Sequence, residues 1–289
     1  MTSLIKINQD SISHPDDVKD CDFIFLMYCI HTRKSDIREV TENNVPCVKD
    51  ARDLAIKHNK KLIYYSPNDR PPIILPNDPY TIVCKETVDL SHRVSNEYII
   101  PVHEFDDVFD DCYLTQPDLS IGFVGHLLFG RKRHIDYLTN CNVKTDFIIR
   151  DNYFHGMRRR NVQHMKNEYY SNIKNNLFTF CYRGAGNFSV RFYETLMMGR
   201  IPIVINTNCM FPYDDIIDYN KVGLFINESD LENNMNLEQR IQEYYRENIN
   251  NLLEIQKNNR ELYVKYFSKD NLWNVFFRYI YNKLYPDSS

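Results

Sequence analysis

The stretch that decides the fold of this chain is Arg183-Gly184-Ala185-Gly186-Asn187-Phe188-Ser189-Val190-Arg191-Phe192-Tyr193-Glu194. Apolar runs lie on both sides of it, from 177 to 182 and from 201 to 205. Glycine is scarce, with 8 in 289 residues, and a chain this poor in glycine keeps it for sharp bends and close approaches. The order strand, glycine-rich turn, helix, strand predicts one unit of a parallel α/β sheet.

The residue types in this stretch suit a nucleotide diphosphate. Arg183 precedes the turn and Arg191 lies in the first turn of the predicted helix, so both guanidinium groups can reach an anion held by Gly184, Gly186 and the helix N-terminus. Ser189 can cap the helix or donate to a phosphate oxygen. Glu194 shares a helix face with Arg191, and a carboxylate can accept both hydroxyls of a ribose.

A plainer interpretation of the same stretch stays open. Arg191 and Glu194 are three residues apart, so they could form an ion pair on a solvated helix, with Arg183 on the surface. Spacing alone does not decide between an ion pair and a ligand site.

Composition excludes several classes of protein. The net charge is −4, so no overall positive field would hold a nucleic acid, and nucleic acid is not an expected partner. The eight cysteines are scattered with no CxxC pair, which predicts buried thiols in a reducing compartment and no zinc site. Neither a signal peptide nor an apolar run of membrane-spanning length is visible. We therefore expect a soluble, cytoplasmic protein without a membrane span.

Strands and helices alternate in two series, which predicts an α/β fold with two Rossmann-like lobes. The acidic stretch 105–117 is interpreted as the connection, giving one lobe at 1–116 and a second at 117–268. At 269–289, apolar side chains recur at helical spacing from Trp273 to Leu284, which predicts a C-terminal helix that packs back on the body and crosses to the first lobe.

The run from Phe180 to Val204 resembles the signature of exostosin-like glycosyltransferases, glycosyltransferase family 47. That pattern reads roughly C-P-R-G-x-G-x-x-S-x-R-x-x-E-A-x-x-x-G-x-I-P-V-I. The likeness continues through 211–219 and includes the upstream segments 121–125 and 147–151. It is strong from about residue 119 to 225 and faint before that.

Three positions depart from the family pattern. Tyr182 replaces the usual Pro before Arg-Gly, a change expected only to relax the strand end. Thr195 replaces a helical Ala, which is a small change in packing. Thr207 stands where many members have Asp, so the contribution of that Asp to the donor sugar is in doubt here.

The resemblance implies a GT-B architecture, in which two lobes face a cleft and the C-terminal lobe holds the nucleotide sugar. It also implies inversion at the sugar without a catalytic metal or other cofactor. The expected partners are a UDP-sugar donor and a carbohydrate acceptor. Arg150 matches a family position, and Gly125 and His126 follow the first strand of the C-terminal lobe, so these three join the predicted donor-binding set. The pair Asp214-Asp215 lies in a family segment and is interpreted as structural.

An inverting transfer also needs a general base for the acceptor hydroxyl. The candidates follow predicted strands of the N-terminal lobe, where open α/β sheets place their ligands. Asp69 and Glu86 are preferred over His103 and Glu104.

Two alternatives to a UDP-sugar transferase remain. One is a transferase for GDP-sugars, fucosyltransferase-like, because anchors made of arginine and glutamate recur there. The other is a catalytically silent protein that binds a glycan or a nucleotide sugar.

Overall fold

The protein is described by a computed structural model, in which the described residues are 4–7, 21–27, 40–41, 46–66, 73–74, 79–102, 113–115, 117–151, 159–233 and 235–285. Contacts divide the chain into two units. The first comprises Met1–Pro101, Cys209–Tyr213 and Asn274–Ser289, and the second comprises Val102–Asn208 and Asp214–Trp273. The division after Pro101 falls earlier in the chain than the boundary predicted after residue 116.

The first unit is built on one parallel sheet. Its strand order is β1-β2-β4-β6-β7, and a separate pair of short parallel strands joins β3 to β5. The elements are β1 (Leu4–Ile7), β2 (Phe23–Met27), β3 (Val40–Thr41), α1 (Pro46–Lys57), β4 (Lys61–Ser66), β5 (Ile73–Ile74), β6 (Thr81–Lys85) and β7 (Glu97–Ile99).

Both faces of β2 are covered. Successive side chains of a strand point to opposite faces, and Ile24 and Leu26 belong to a buried cluster with α1 residues such as Val48. On the opposite face of β2, the Phe25 ring packs edge-to-face against the Phe277 ring, with 5.2 Å between the ring centroids. Phe277 lies on the last helix, α8 (Leu272–Leu284), most of which belongs to this unit.

The second unit has a parallel sheet of order β12-β11-β10-β8-β9. The central strands Ser120–Gly125, Phe178–Cys181 and Ile201–Asn206 are largely buried and read in the sequence as nearly continuous apolar runs. The edge strand Lys144–Ile149 is exposed or half-buried along its length. Its elements are β8 (Ser120–Gly125), α2 (Arg131–Thr139), β9 (Lys144–Ile149), α3 (Arg159–Asn175), β10 (Phe178–Cys181), α4 (Val190–Met197), β11 (Ile201–Asn206), β12 (Leu224–Asn227), α5 (Glu228–Glu232), α6 (Leu237–Asn248) and α7 (Leu252–Tyr266).

The strand order of this sheet reverses between β8 and β10. From β8 the chain passes through α2 to β9 on one side, and from β9 it returns through α3 to β10 on the other side of β8. In open α/β sheets, such a reversal opens a crevice at the carboxyl ends of the strands, and ligands bind there. The residues that follow β8 and β10 are therefore the first place to look for a site.

The predicted α/β class with two parallel-sheet lobes is confirmed. Two boundaries differ from the sequence-based expectation: β12 begins at Leu224 rather than Val222 because a short 3-10 turn occupies Tyr219–Lys221, and the helical tail predicted over 237–266 is interrupted at 249–251. Within the described part of the chain, no helix combines the length and apolarity needed to cross a bilayer.

Candidate functional site

The glycine-rich turn, defined here as Arg183–Ser189, connects the carboxyl end of β10 to α4. The Gly184 N–H donates to the Phe188 carbonyl oxygen at 3.0 Å, which closes the turn. The Asn187 amide donates to the Thr207 carbonyl at 3.1 Å, and the Thr207 hydroxyl donates back to the Asn187 side chain. Thr207 therefore holds the turn from the end of β11, a role that the sequence did not reveal.

Gly184 is not required by the backbone. It does not adopt a positive φ, and an added Cβ would meet nothing closer than the Arg131 guanidinium at 3.6 Å, an ordinary contact. The described contacts would therefore tolerate a small side chain at this position.

The N-terminus of α4 begins without a side-chain cap. Ser189 is the N-cap residue with extended backbone angles, but its hydroxyl makes no capping hydrogen bond. The side chain is half-buried at the crevice, whereas every residue of the helix from Arg191 to Met197 is buried. The first N–H groups of a helix carry partial positive charge and attract anions.

Arg191 lies in the first turn of α4 with only 8% of its surface exposed. Its Nη2 donates to the Val124 carbonyl oxygen at 2.6 Å, at the carboxyl end of β8. The guanidinium carbon lies 4.4 Å from the Phe123 ring centroid and 5.6 Å from that of Tyr169, so two aromatic faces flank the cation. Its Nε is buried and has no hydrogen-bond partner among the described residues. This guanidinium is a buried cation that retains an unused donor.

Gly125 lies directly against Arg191. A Cβ at this position would lie 3.0 Å from Nη2 of Arg191, closer than most side-chain contacts. Because Gly125, a predicted donor-binding residue, has no side chain, the Arg191 guanidinium can lie close to its backbone.

Glu194 is buried one turn further along α4, where it accepts a hydrogen bond from the Tyr169 hydroxyl. Burial raises the pKa of the Glu194 carboxyl, although the hydrogen bond from Tyr169 and the charge of Arg191 act in the opposite direction. Within the described residues, Arg191 and Glu194 form no ion pair, and the helix is buried from Arg191 to Met197. The plain interpretation as a surface ion pair is therefore wrong.

The remaining predicted donor residues are arranged differently. Arg183 is half-buried and donates to the Ala185 carbonyl within its own turn at 3.3 Å. Arg150 pairs with Glu168 of α3 at 2.5 Å, while its backbone N–H donates to the Gly125 carbonyl at 3.0 Å. His126 is half-buried after β8. The charge of Arg150 is therefore already compensated by α3.

Of the candidate general bases, Glu86 alone falls within the described residues. It is 6% exposed and accepts a hydrogen bond from the Tyr65 hydroxyl at 2.8 Å. Asp69, His103 and Glu104 lie outside the described residues. A buried carboxylate of this kind is not open to an acceptor hydroxyl as it stands, because a base must lie within hydrogen-bond reach of the proton it removes.

Tyr182 does more than relax the end of β10. Its side chain is buried and its hydroxyl donates to the Glu228 carboxylate at 2.5 Å. Glu228 also pairs with Arg133, and His134 lies 3.6 Å from the same carboxylate oxygen. This closed network links the strand end to α2 and α5, so a proline at 182 would not substitute for the tyrosine here.

The described residues contain no group of three or more His, Cys, Asp or Glu side chains placed to hold a metal ion. The cations of the described residues near this crevice include Arg191, Arg183 and Arg131, whose guanidinium donates to the Tyr182 carbonyl oxygen at 3.4 Å.

Part of the chain is similar to a known protein family. Residues 130–241 match the family model of the exostosin GT47 domain. This part of the chain resembles the exostosin GT47 domain. The match includes the glycine-rich turn, Arg191, Glu194 and Thr207, and it ends within α6.

The exostosin-like relatives cover only part of this chain. "Exostosin-1 homolog" of Caenorhabditis elegans is 26% identical over 129 residues, 44% of this chain and 33% of that protein. "Probable glucuronosyltransferase 47 A" of Physcomitrium patens is 32% identical over 63 residues, 22% of this chain and 14% of that protein. The aligned stretches thus span a third or less of these relatives. Anabaena HepE, solved in complex with UDP-glucose, has a TM-score of 0.43 at 10% identity, covering 93% of this chain and 80% of that one.

Proposed function

We propose that this chain is a glycosyltransferase that takes a sugar from a nucleotide-diphosphate sugar, with UDP as the nucleotide, and transfers it with inversion to a glycan or glycosylated acceptor. The observation that carries the proposal is the buried Arg191 guanidinium, which has an unused Nε at the uncapped N-terminus of α4. It lies where the strand order reverses, the usual ligand crevice of an open α/β sheet.

The chemistry follows from the charges at that crevice. In the transfer, an acceptor oxygen bonds to the anomeric carbon while the bond from that carbon to the diphosphate oxygen breaks. Negative charge grows on the departing diphosphate, and preoriented donors stabilise it most when water is excluded. Arg191, Arg183 and the first N–H groups of α4 are those donors in our proposal, so no metal or cofactor is needed.

The other predicted residues take the remaining roles. Glu194 accepts the ribose hydroxyls, and Ser189 donates to a phosphate oxygen. Gly125, Gly184 and Gly186 keep the crevice free of side chains, while Arg150 and His126 form its edge at the ends of β8 and β9. Asp69 takes the proton of the acceptor hydroxyl. Glu86 is the second candidate, and it would first have to be uncovered from its contact with Tyr65.

The relatives support the class of reaction. Two of them are named as a glucuronosyltransferase and a "Probable beta-1,4-xylosyltransferase", and HepE was solved with UDP-glucose. We extend from these names to this chain only the transfer of a sugar from a nucleotide diphosphate.

The test is release of nucleotide from a panel of UDP- and GDP-sugars, with and without oligosaccharide acceptors. We expect slow release of UDP from at least one UDP-sugar, accelerated by an acceptor and lost in Arg191→Ala. The matched control is Arg240→Ala, which removes an arginine that pairs with Glu243 on α6. Release of GDP instead would establish the GDP-sugar alternative. Binding of a nucleotide without release from any donor would establish the silent binding protein.

A further inference from the structure

Tyr169 is the residue outside the family signature that contacts both charged groups of the candidate site. It lies on α3, and its hydroxyl donates to Oε2 of Glu194. The face of its ring lies 5.6 Å from the Arg191 guanidinium carbon. One side chain thus touches the predicted ribose acceptor and the predicted diphosphate donor.

The two contacts differ in kind. The hydroxyl bond fixes one carboxylate oxygen of Glu194, and the Tyr170 side chain also hydrogen-bonds this carboxylate. The two oxygens of a carboxylate offer about four lone-pair sites, so it can still accept from a ligand. The ring acts on Arg191 through packing and the cation–π attraction, opposite Phe123 on the other side. Removing the hydroxyl therefore affects Glu194 alone, whereas removing the ring affects both residues.

The Tyr169 hydroxyl counteracts the effect of burial on the Glu194 carboxyl. Burial raises the pKa of Glu194, and the hydrogen bond from Tyr169 opposes that change. A carboxylate is the acceptor-only form that a diol requires. The Tyr169 hydroxyl therefore both orients Glu194 and favours its charged state.

We infer that Tyr169 is a positioning residue of the donor site, which holds Glu194 for the ribose hydroxyls and Arg191 for the diphosphate. The inference rests on the proposed function, because it assigns roles within the same site. It adds Tyr169 to the site, although helix α3 lies outside the family signature in the sequence.

The test separates the ribose from the diphosphate. Dissociation constants are measured by calorimetry for UDP, 2′-deoxy-UDP, 3′-deoxy-UDP and inorganic pyrophosphate. A hydrogen bond to a charged carboxylate predicts that the wild-type protein prefers UDP over at least one deoxy analogue by roughly tenfold or more. In Tyr169→Phe we expect that preference to fall below about threefold, with pyrophosphate affinity unchanged. In Tyr169→Leu we expect pyrophosphate to bind more weakly as well.

The control is Tyr245→Phe, which removes another tyrosine hydroxyl bond of the same unit, the one to the Pro117 carbonyl at 3.0 Å. If Tyr169→Phe does not fold, the comparison of UDP with its deoxy analogues in Tyr169→Leu carries the test, because that variant also removes the hydroxyl and should lose the same preference.

Three results would overturn the inference. Equal weakening of UDP and both deoxy analogues in Tyr169→Phe would make Tyr169 merely structural. A wild-type protein that binds UDP and both deoxy analogues alike would remove the role of Glu194 while leaving the proposed function intact. Failure of the wild-type protein to bind UDP or pyrophosphate would defeat the proposed function, and the inference with it.

Discussion

The two ends of α4 carry the same residue type in opposite situations. At the C-terminal end, Arg200 is 1% exposed, and its Nη1 donates to the Met198 and Gly199 carbonyls at 3.0 and 3.2 Å. Its Nε and Nη2 donate to the Lys174 carbonyl at 3.0 and 2.6 Å. Arg260 donates to the Met197 carbonyl. Carbonyls that a helix end leaves open are met here by protein cations, as the helix dipole favours.

At the N-terminal end of α4, the Arg191 side chain and the first helical N–H groups have fewer hydrogen-bond partners. Among the described residues, the Arg191 side chain makes a single hydrogen bond, to the Val124 carbonyl, and the Ser189 side chain makes no capping bond. A buried cation and an uncapped helix start are costly unless something pairs with them. In our proposal, the filled C-terminal end serves the fold and the incomplete N-terminal end binds the diphosphate.

The largest expected effect is on stability, at the filled end. Arg200→Ala leaves the carbonyls of Lys174, Met198 and Gly199 without this donor, so we expect a loss of about 3–5 kcal/mol in the free energy of unfolding. Arg191→Ala should lose less than about 2 kcal/mol, because the loss of one hydrogen bond and two ring contacts is offset by the removal of a buried cation with an unused donor. Urea denaturation measures both variants. Equal losses would erase the distinction between the two ends.

Gly199 and Gly184 also differ in how much an alanine substitution should change stability, and the expected effects are smaller than those of the two arginines. Gly199, after α4, has a φ of 59°, and a Cβ there would lie 2.8 Å from Cε1 of Tyr113 and 3.1 Å from the Gln256 carbonyl oxygen. Gly199→Ala should therefore cost about 1–3 kcal/mol of stability. Gly184→Ala should change stability by less than about 0.5 kcal/mol while weakening UDP binding. Thermal unfolding with and without UDP checks both, and a strongly destabilised Gly184→Ala would contradict the account.

The contributions of Glu194 and Glu228 to the free energy of unfolding are expected to change with pH in opposite directions. Burial raises the pKa of Glu194, so its contribution to folding becomes less favourable as pH rises above 4.5. Relative to wild type, Glu194→Gln should gain stability over that range while losing ribose recognition. Unfolding free energies from pH 4 to 8 measure the difference.

Glu228 is the counterpart in the closed network. Burial alone would raise its pKa, but hydrogen bonds from Tyr182 and Arg133 outweigh burial and lower it. Its stabilising contribution is present above pH 4.5 and is lost as pH falls through the lowered pKa. Glu228→Gln should therefore be less stable than wild type at neutral pH and approach it in acid. If both variants changed the free energy of unfolding at neutral pH in the same direction, the pKa values of the two carboxyl groups would not be shifted in opposite directions.

The smallest expected effect is that of chelation. If arginines and the helix N-terminus neutralise the diphosphate, EDTA should leave the affinity for UDP unchanged within about twofold. A loss of binding on chelation, restored by Mg²⁺ or Mn²⁺, would replace these cations with a metal.

The sequence could predict the elements that local patterns encode. The glycine-rich turn, α4 and the buried strands of the second sheet follow from spacing and apolar runs, and the family likeness of residues 130–241 is carried by the same motif. Contacts made by the fold could not be predicted. Nothing in the sequence of α3 indicates that Tyr169 meets Glu194, or that Arg150 is paired with Glu168, because both contacts depend on how α3 crosses the sheet.

The burial of Glu86 was unpredictable for a similar reason. Its position just after a strand suggested an exposed carboxylate, whereas Tyr65 of the neighbouring strand covers it. Thr207 shows the same limit, since its bond to Asn187 joins two loops that are far apart in the sequence.

The measurement that tests the central claim most directly is calorimetric titration of UDP into the wild-type protein, Arg191→Ala and Arg240→Ala. The account predicts binding to the wild type and to Arg240→Ala with the same affinity. It predicts a loss of roughly tenfold to a hundredfold in Arg191→Ala, the worth of a hydrogen bond to a charged group. Unchanged affinity in Arg191→Ala, with the variant folded, would contradict the claim that the N-terminal end of α4 holds the diphosphate.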